Sequence, residues 1–73
     1  MVARRYSSAV RAEPSRATRQ RVLAAARYLL LRRGYIGATI DAIAGRAGVS
    51  VQTVYNTVGG KAAILKAVYD TML

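Results

Sequence analysis

Gly48 and the Gly59-Gly60 pair cut the stretch TIDAIAGRAGVSVQTVYNTVGGK, Thr39 to Lys61, into two short helices joined by a tight turn. The hydroxyl of Thr39 precedes the first helix, in which Ile40, Ile43, Ala44 and Ala47 fall on one face at helical spacing. Gly48 ends it, because glycine adopts the left-handed C-terminal position without a Cβ clash. Ser50 is placed to accept from free N–H groups at the start of the next helix. That helix, about Val51 to Val58, hides only Val54 and Val58. Val51, Gln52, Thr53, Tyr55, Asn56 and Thr57 are left on its other faces. Such a narrow apolar stripe does not serve mainly to build a core. The layout is that of a helix-turn-helix, which places its second helix in the major groove of DNA.

Composition narrows the function classes. Seventy-three residues suffice for one small domain with a marginal core. With no cysteine and no histidine, the chain has no disulfide, no thiolate or imidazole metal site and none of the usual catalytic triads. Three scattered acids complete the case against an enzyme, and no cofactor is expected. The formal net charge of +9 calls for a polyanionic partner. Ten of the twelve basic residues are arginine, whose planar fork matches phosphates and guanine edges. Nine of these lie in residues 1–33, against Glu13 alone. No apolar run approaches the length of a membrane span, and the N-terminus lacks the apolar middle of a secretory signal.

Residues 1–15 contain Pro14, small residues and three arginines without helical period, and are expected to form a flexible basic arm. Residues 16–73 are expected to be an all-α bundle: a homeodomain-like three-helix core plus the start of a fourth helix. Ser15 is a fair N-cap for a first helix from Arg16 to Arg33, with Val22, Ala26 and Leu29 on its apolar stripe and Gly34 at its end. Ile36 is expected to plug the core. A second helix over about 40–47 and a third over about 51–58 follow. A fourth starts near Lys61 and buries Ile64, Leu65, Val68, Tyr69 and Met72. It still shows its stripe at Leu73, without a cap, which suggests a piece of a longer protein.

With these residues in place, the chain resembles the DNA-binding domain of the TetR family of bacterial transcriptional repressors. Four pieces carry the likeness, over about Thr18 to Met72. They are Arg19 to Gly34-Tyr35; Ala38-Thr39-Ile40 with Ile43-Ala44 and Ala47-Gly48-Val49-Ser50; Thr53-Val54-Tyr55; and Lys61 followed by Ile64-Leu65. Three positions depart from the pattern. Val58 stands where an aromatic is more usual, which implies a smaller plug between helices 3 and 4. Gly59-Gly60 replaces a proline-containing or polar link, so helix 4 is less firmly placed. Val51 replaces a more usual Lys, Arg or polar residue, so the base-reading pattern does not transfer.

The resemblance implies a helix 3 seated in the major groove. Gln52 can then bond an adenine edge twice, and Val51 can touch a thymine methyl. Thr53 and Asn56 are short and polar enough for bases or phosphates; the alternatives are a solvated helix face for Gln52 and Asn56 and a local backbone hydrogen bond for Thr53. Tyr55 is implied as a phosphate or base contact through its hydroxyl, with a ring packed on helix 1 as the alternative. Lys61, with the free N–H groups of helix 4, is placed to grip a phosphate, unless it is simply solvated. Thr39 either only caps helix 2 or also offers a hydroxyl to phosphate. Ser50 reads first as a cap. Arg4, Arg5, Arg11 and Arg16 can track the backbone or enter the minor groove.

The family likeness further implies a bacterial cytoplasmic protein that binds a palindromic double-stranded operator as a homodimer. Dimerisation and ligand response would lie in a C-terminal domain outside these residues, most simply making the protein a ligand-responsive repressor. The alternative is a basic RNA-binding or nonspecific nucleic-acid-binding helical protein that uses the arm and helix 1.

Overall fold

A computed structural model describes the backbone of residues 2–72 and the side chains of residues 16–72. Four helices follow one another: α1 (Val2–Gly37), α2 (Ile40–Ala47), α3 (Val51–Thr57) and α4 (Lys61–Met72). No strand occurs among the described residues, so the fold is all-α, with α2 and α3 forming the helix-turn-helix. None of these helices is long and apolar enough to cross a membrane.

Helical backbone runs back through Ser15 to Val2, so Ser15 does not cap α1. Three alanines, three arginines and Glu13 favour helix in that stretch, against three serines and Pro14. Side chains 1–15 of the expected arm lie outside the described residues.

Val22, Ala25, Ala26 and Leu29 recur at three- and four-residue steps along α1 and form its buried face. They meet Ile43, Ala44 and Ala47 of α2, Val54 of α3, and Ile64 and Val68 of α4. Ile43, Ile64, Val22 and Val54 are the largest fully buried side chains. Each contributes roughly 1.5–3 kcal/mol by leaving water. Alanines fill much of the rest, so the helices are joined by a small-volume core.

Gly34 breaks α1 as the sequence predicts, with φ 77° and ψ 179°. A last helical turn follows, closed by the Ala38 N–H on the Gly34 carbonyl at 3.1 Å. This turn overturns one expectation. Ile36 is 83% exposed and plugs nothing. The change of direction at Gly34 carries Ala38 inward instead, into a small crevice lined also by Ile43 and Ile64.

Both short helices begin and end where their caps dictate. The Thr39 hydroxyl accepts from the Ala42 N–H at 3.1 Å, and the Ser50 hydroxyl accepts from the Thr53 N–H at 3.1 Å. Between them Gly48 is left-handed, at φ 76° and ψ 32°. Its N–H and that of Val49 close on the Gly45 and Ala44 carbonyls. A Cβ built at Gly48 would meet nothing within 4 Å. Gly48→Ala therefore isolates the backbone cost of the left-handed region, roughly 1–2 kcal/mol. Its thermal midpoint should fall by about 4–8 °C for each kcal/mol, and Gly48→Asn should fall less. Melting followed by circular dichroism reads this directly; an alanine variant that melts with the parent chain would refute it.

α4 differs from expectation along one edge. Ile64, Ala67 and Val68 are buried against α1, whereas Leu65 is half-buried and Tyr69 and Met72 are exposed. α1 covers one stripe of α4, and the neighbouring stripe is left beside Leu31 and Tyr35 in a shallow apolar groove. The first turn of α4 closes from the Ile64 N–H to the Gly60 carbonyl at 3.0 Å, and Val58, half-buried, packs against the core.

Candidate nucleic-acid interface

α3 is tied to the domain through one fully buried side chain, Val54, helped by half-buried Val58 just past its end. A seven-residue helix anchored on so little must turn most of its circumference outward. Val51, Gln52, Tyr55 and Asn56 are exposed, and Thr53 is half-buried beside them. Two local bonds set how these side chains stand. The Gln52 amide donates from Nε2 to Oδ1 of Asn56 at 3.0 Å, one helical turn on. The Thr53 hydroxyl lies 2.9 Å from that of Ser50. The Thr57 hydroxyl donates to the Thr53 carbonyl at 2.8 Å and is turned back onto the helix.

Tyr55 is half exposed. Its ring edge lies beside the glycine link, with Cε1 3.6 Å from the place a Cβ would take on Gly60. The phenol is thus carried next to the start of α4. Lys61 opens that helix but is neither free nor fully solvated. Its ammonium donates to the Tyr35 carbonyl and sits 4.0 Å from the centre of the Tyr35 ring. Lys61 and Tyr35 share a crevice with Ala38, the residue before Thr39. The crevice brings the residue before the α2 cap to the start of α4, and the Tyr55 ring lies beside the link that enters α4. Thr39, Ser50, Val51, Gln52, Tyr55 and Asn56 are exposed, and Thr53 and Lys61 are half-buried.

Arg16 is exposed on α1. The side chains of Arg4, Arg5 and Arg11 lie outside the described residues. Two arginines that sequence reasoning passed over act as braces. Arg19 reaches the carbonyl of Thr57 at the end of α3, at 3.5 Å, and Arg21 reaches that of Ala47 at the end of α2, at 3.4 Å. Cations suit the negative ends of helices, and both bonds are long and partly solvated. The partners are 38 and 26 residues apart, so no local spacing announces them.

Charge on the described surface is almost all of one sign. The single ion pair among the described residues is Lys66–Asp70 at 3.3 Å, an exposed pair one turn apart on α4. Such a pair is worth a few tenths of a kcal/mol. No group of His, Cys, Asp or Glu among the described residues is arranged to hold a metal. A cationic surface with polar amides on a projecting helix is suited to a duplex, whose phosphates attract the charge and whose groove edges present hydrogen-bonding atoms.

Comparison with known families agrees with that chemistry. The model described as "Bacterial regulatory proteins, tetR family" matches residues 22–68, from the first buried valine of α1 to the last buried valine of α4. No curated protein and no solved structure matches the chain. The match covers more than half of the chain and spans the helix-turn-helix with the helices that hold it. The chain therefore belongs to the tetR family of bacterial regulatory proteins, as a non-catalytic domain that binds DNA sequence-specifically.

Proposed function

We propose that this chain is the DNA-reading head of a ligand-responsive repressor that acts as a homodimer on a palindromic operator. The observation that carries the reading is the outward display of α3, fixed by Val54 and presenting Gln52, Asn56, Val51 and Tyr55. In this reading α3 lies in the major groove. Gln52 bonds an adenine edge, Val51 meets a thymine methyl, and Asn56 and Thr53 take base or phosphate contacts. Tyr55, Thr39 and Lys61 hold phosphates on either side, and Ser50 supports α3 as its cap. Lys61 has donors to spare after its bond to Tyr35.

A single head of this size makes a small interface. Two heads on neighbouring half-sites, one helical turn apart, multiply the affinity. The joining domain would lie outside these residues. The apolar groove between α1 and α4, on which Leu31 is 69% and Tyr69 60% exposed, supports a packed neighbour on that side. Ligand control then follows from the spacing of two heads: a ligand that favours a wider separation removes both from adjacent grooves at once.

Selection of bound sites from random duplex DNA tests the reading. This chain is expected to enrich one short motif, and the dimeric protein an inverted repeat of it. Enrichment of no motif would overturn the assignment of α3. Preferential enrichment of single-stranded or RNA ligands would favour a general basic nucleic-acid binder.

A further inference from the structure

The side of α1 that meets α2 carries a second basic feature, away from the outer face of α3. Tyr28 is its centre. The Arg46 guanidinium carbon lies 3.4 Å from the Tyr28 ring centroid and that of Arg32 lies 5.3 Å away. Arg33 lines the same open cleft. Tyr28 and Arg46 also line the adjoining cleft that runs on to Arg21. Together these form one trough between α1 and α2 holding four arginines. No carboxylate pairs with any of them among the described residues.

Like charges gathered this way repel unless something holds them. The ring face of Tyr28 attracts two guanidinium groups, and Arg21 is fixed by its bond to the Ala47 carbonyl. A guanidinium held over a ring by its charge can still offer N–H donors to a further acceptor. Arg32, Arg33 and Arg46 have no carboxylate partner among the described residues, whereas Arg21 already donates to the Ala47 carbonyl. Gly45 leaves the α2 wall open, since a Cβ there would meet nothing within 4 Å.

We infer that this trough is a second contact for the DNA backbone, taking phosphates of the duplex that flanks the segment read by α3. The inference rests on the assignment of α3 as the reading helix. Three features favour a nucleic-acid strand as the occupant. Arg21 and Arg32 are eleven residues apart on α1, which is about 16 Å along a helix and close to five base-pair steps of about 3.4 Å. A row of that length suits a polymer of phosphates better than one small anion. The trough is floored by Tyr28, Leu29 and small side chains, but its edges carry four arginines, a charge of one sign that favours a polyanion. Arg46 is separated from Ser50, the cap of α3, by only three residues, 47–49, so this end of the trough is close along the chain to the start of the reading helix.

The test is the salt dependence of duplex binding, read by fluorescence anisotropy with this chain. One duplex spans about a single helical turn (about 10 base pairs) centred on the selected motif, and the other adds a turn on each side. Arg32→Gln with Arg46→Gln is expected to reduce the slope of log K against log salt by about 1.8 on the long duplex, two contacts at about 0.9 each. On the short duplex the slope should not move. Arg46→Gln alone should lose about 0.9, and it decides the matter if the double variant loses helicity by circular dichroism. An unchanged slope on the long duplex overturns the inference. If poly-glutamate then perturbs the amide resonances around Arg46, the trough belongs to an acidic protein partner instead. Failure of the α3 assignment looks different: the parent chain would bind both duplexes without regard to sequence, while the slope loss of the variants on the long duplex would persist.

Discussion

Val54→Asp is expected to dismantle the reading surface and remove DNA binding altogether. Val54 is fully buried and is the one fully buried anchor of α3. A carboxylate there would lie within the apolar core cluster, which holds no buried polar side chain among the described residues. Leaving an uncompensated charge in such a place costs about 3–5 kcal/mol. A domain of this length has a total stability of about that size. The chain should therefore show lost helicity, collapsed amide dispersion and no binding to any duplex. Val54→Ala, which removes only two methyl groups, should cost roughly 2 kcal/mol and leave a folded, weaker binder. An aspartate variant that folds and binds like the parent would mean that α3 is held by something other than this valine.

Gln52→Ala combined with Asn56→Ala should have the largest effect on specificity while leaving the fold intact. Both side chains are exposed, and their mutual bond is an i,i+4 contact worth a few tenths of a kcal/mol. Each well-made pair of bonds to a base edge discriminates by about 1–3 kcal/mol. Losing the amides is therefore expected to cut the preference for the selected motif over scrambled DNA by about a hundredfold or more. Affinity for scrambled DNA and its salt slope should barely change, because the phosphate contacts remain. The ratio of the two dissociation constants at one fixed salt concentration measures this. A preserved ratio would place the base contacts elsewhere.

The helix-turn-helix was legible because its punctuation is local. Thr39, Gly48 and Ser50 act on backbone groups within a few residues of themselves, and α2 begins and ends where they require. α3 was legible for the complementary reason: a stripe with Val54 as its one deep anchor leaves its polar side chains nowhere to go but outward. Ile36, Tyr69 and Met72 were misjudged because periodicity identifies an apolar stripe but not whether a neighbour covers it. That depends on how α1 and α4 cross. The roles of Lys61 and Tyr28 were hidden for a related reason. Lys61 meets the Tyr35 carbonyl across 26 residues. Arg46 reaches Tyr28 from another helix, although the Tyr28–Arg32 spacing of four was visible. Helix caps are a property of sequence neighbours, whereas braces and platforms come from tertiary packing.

In the proposed reading, the Gln52–Asn56 bond would be a latch that the right sequence undoes at little cost. Opening it frees an amide donor and an amide acceptor at once, and a matching base edge takes up both, so hydrogen bonding stays roughly even. A wrong base would offer no such exchange. Refusal of incorrect sites would then come from the absence of any inducement to open rather than from collision.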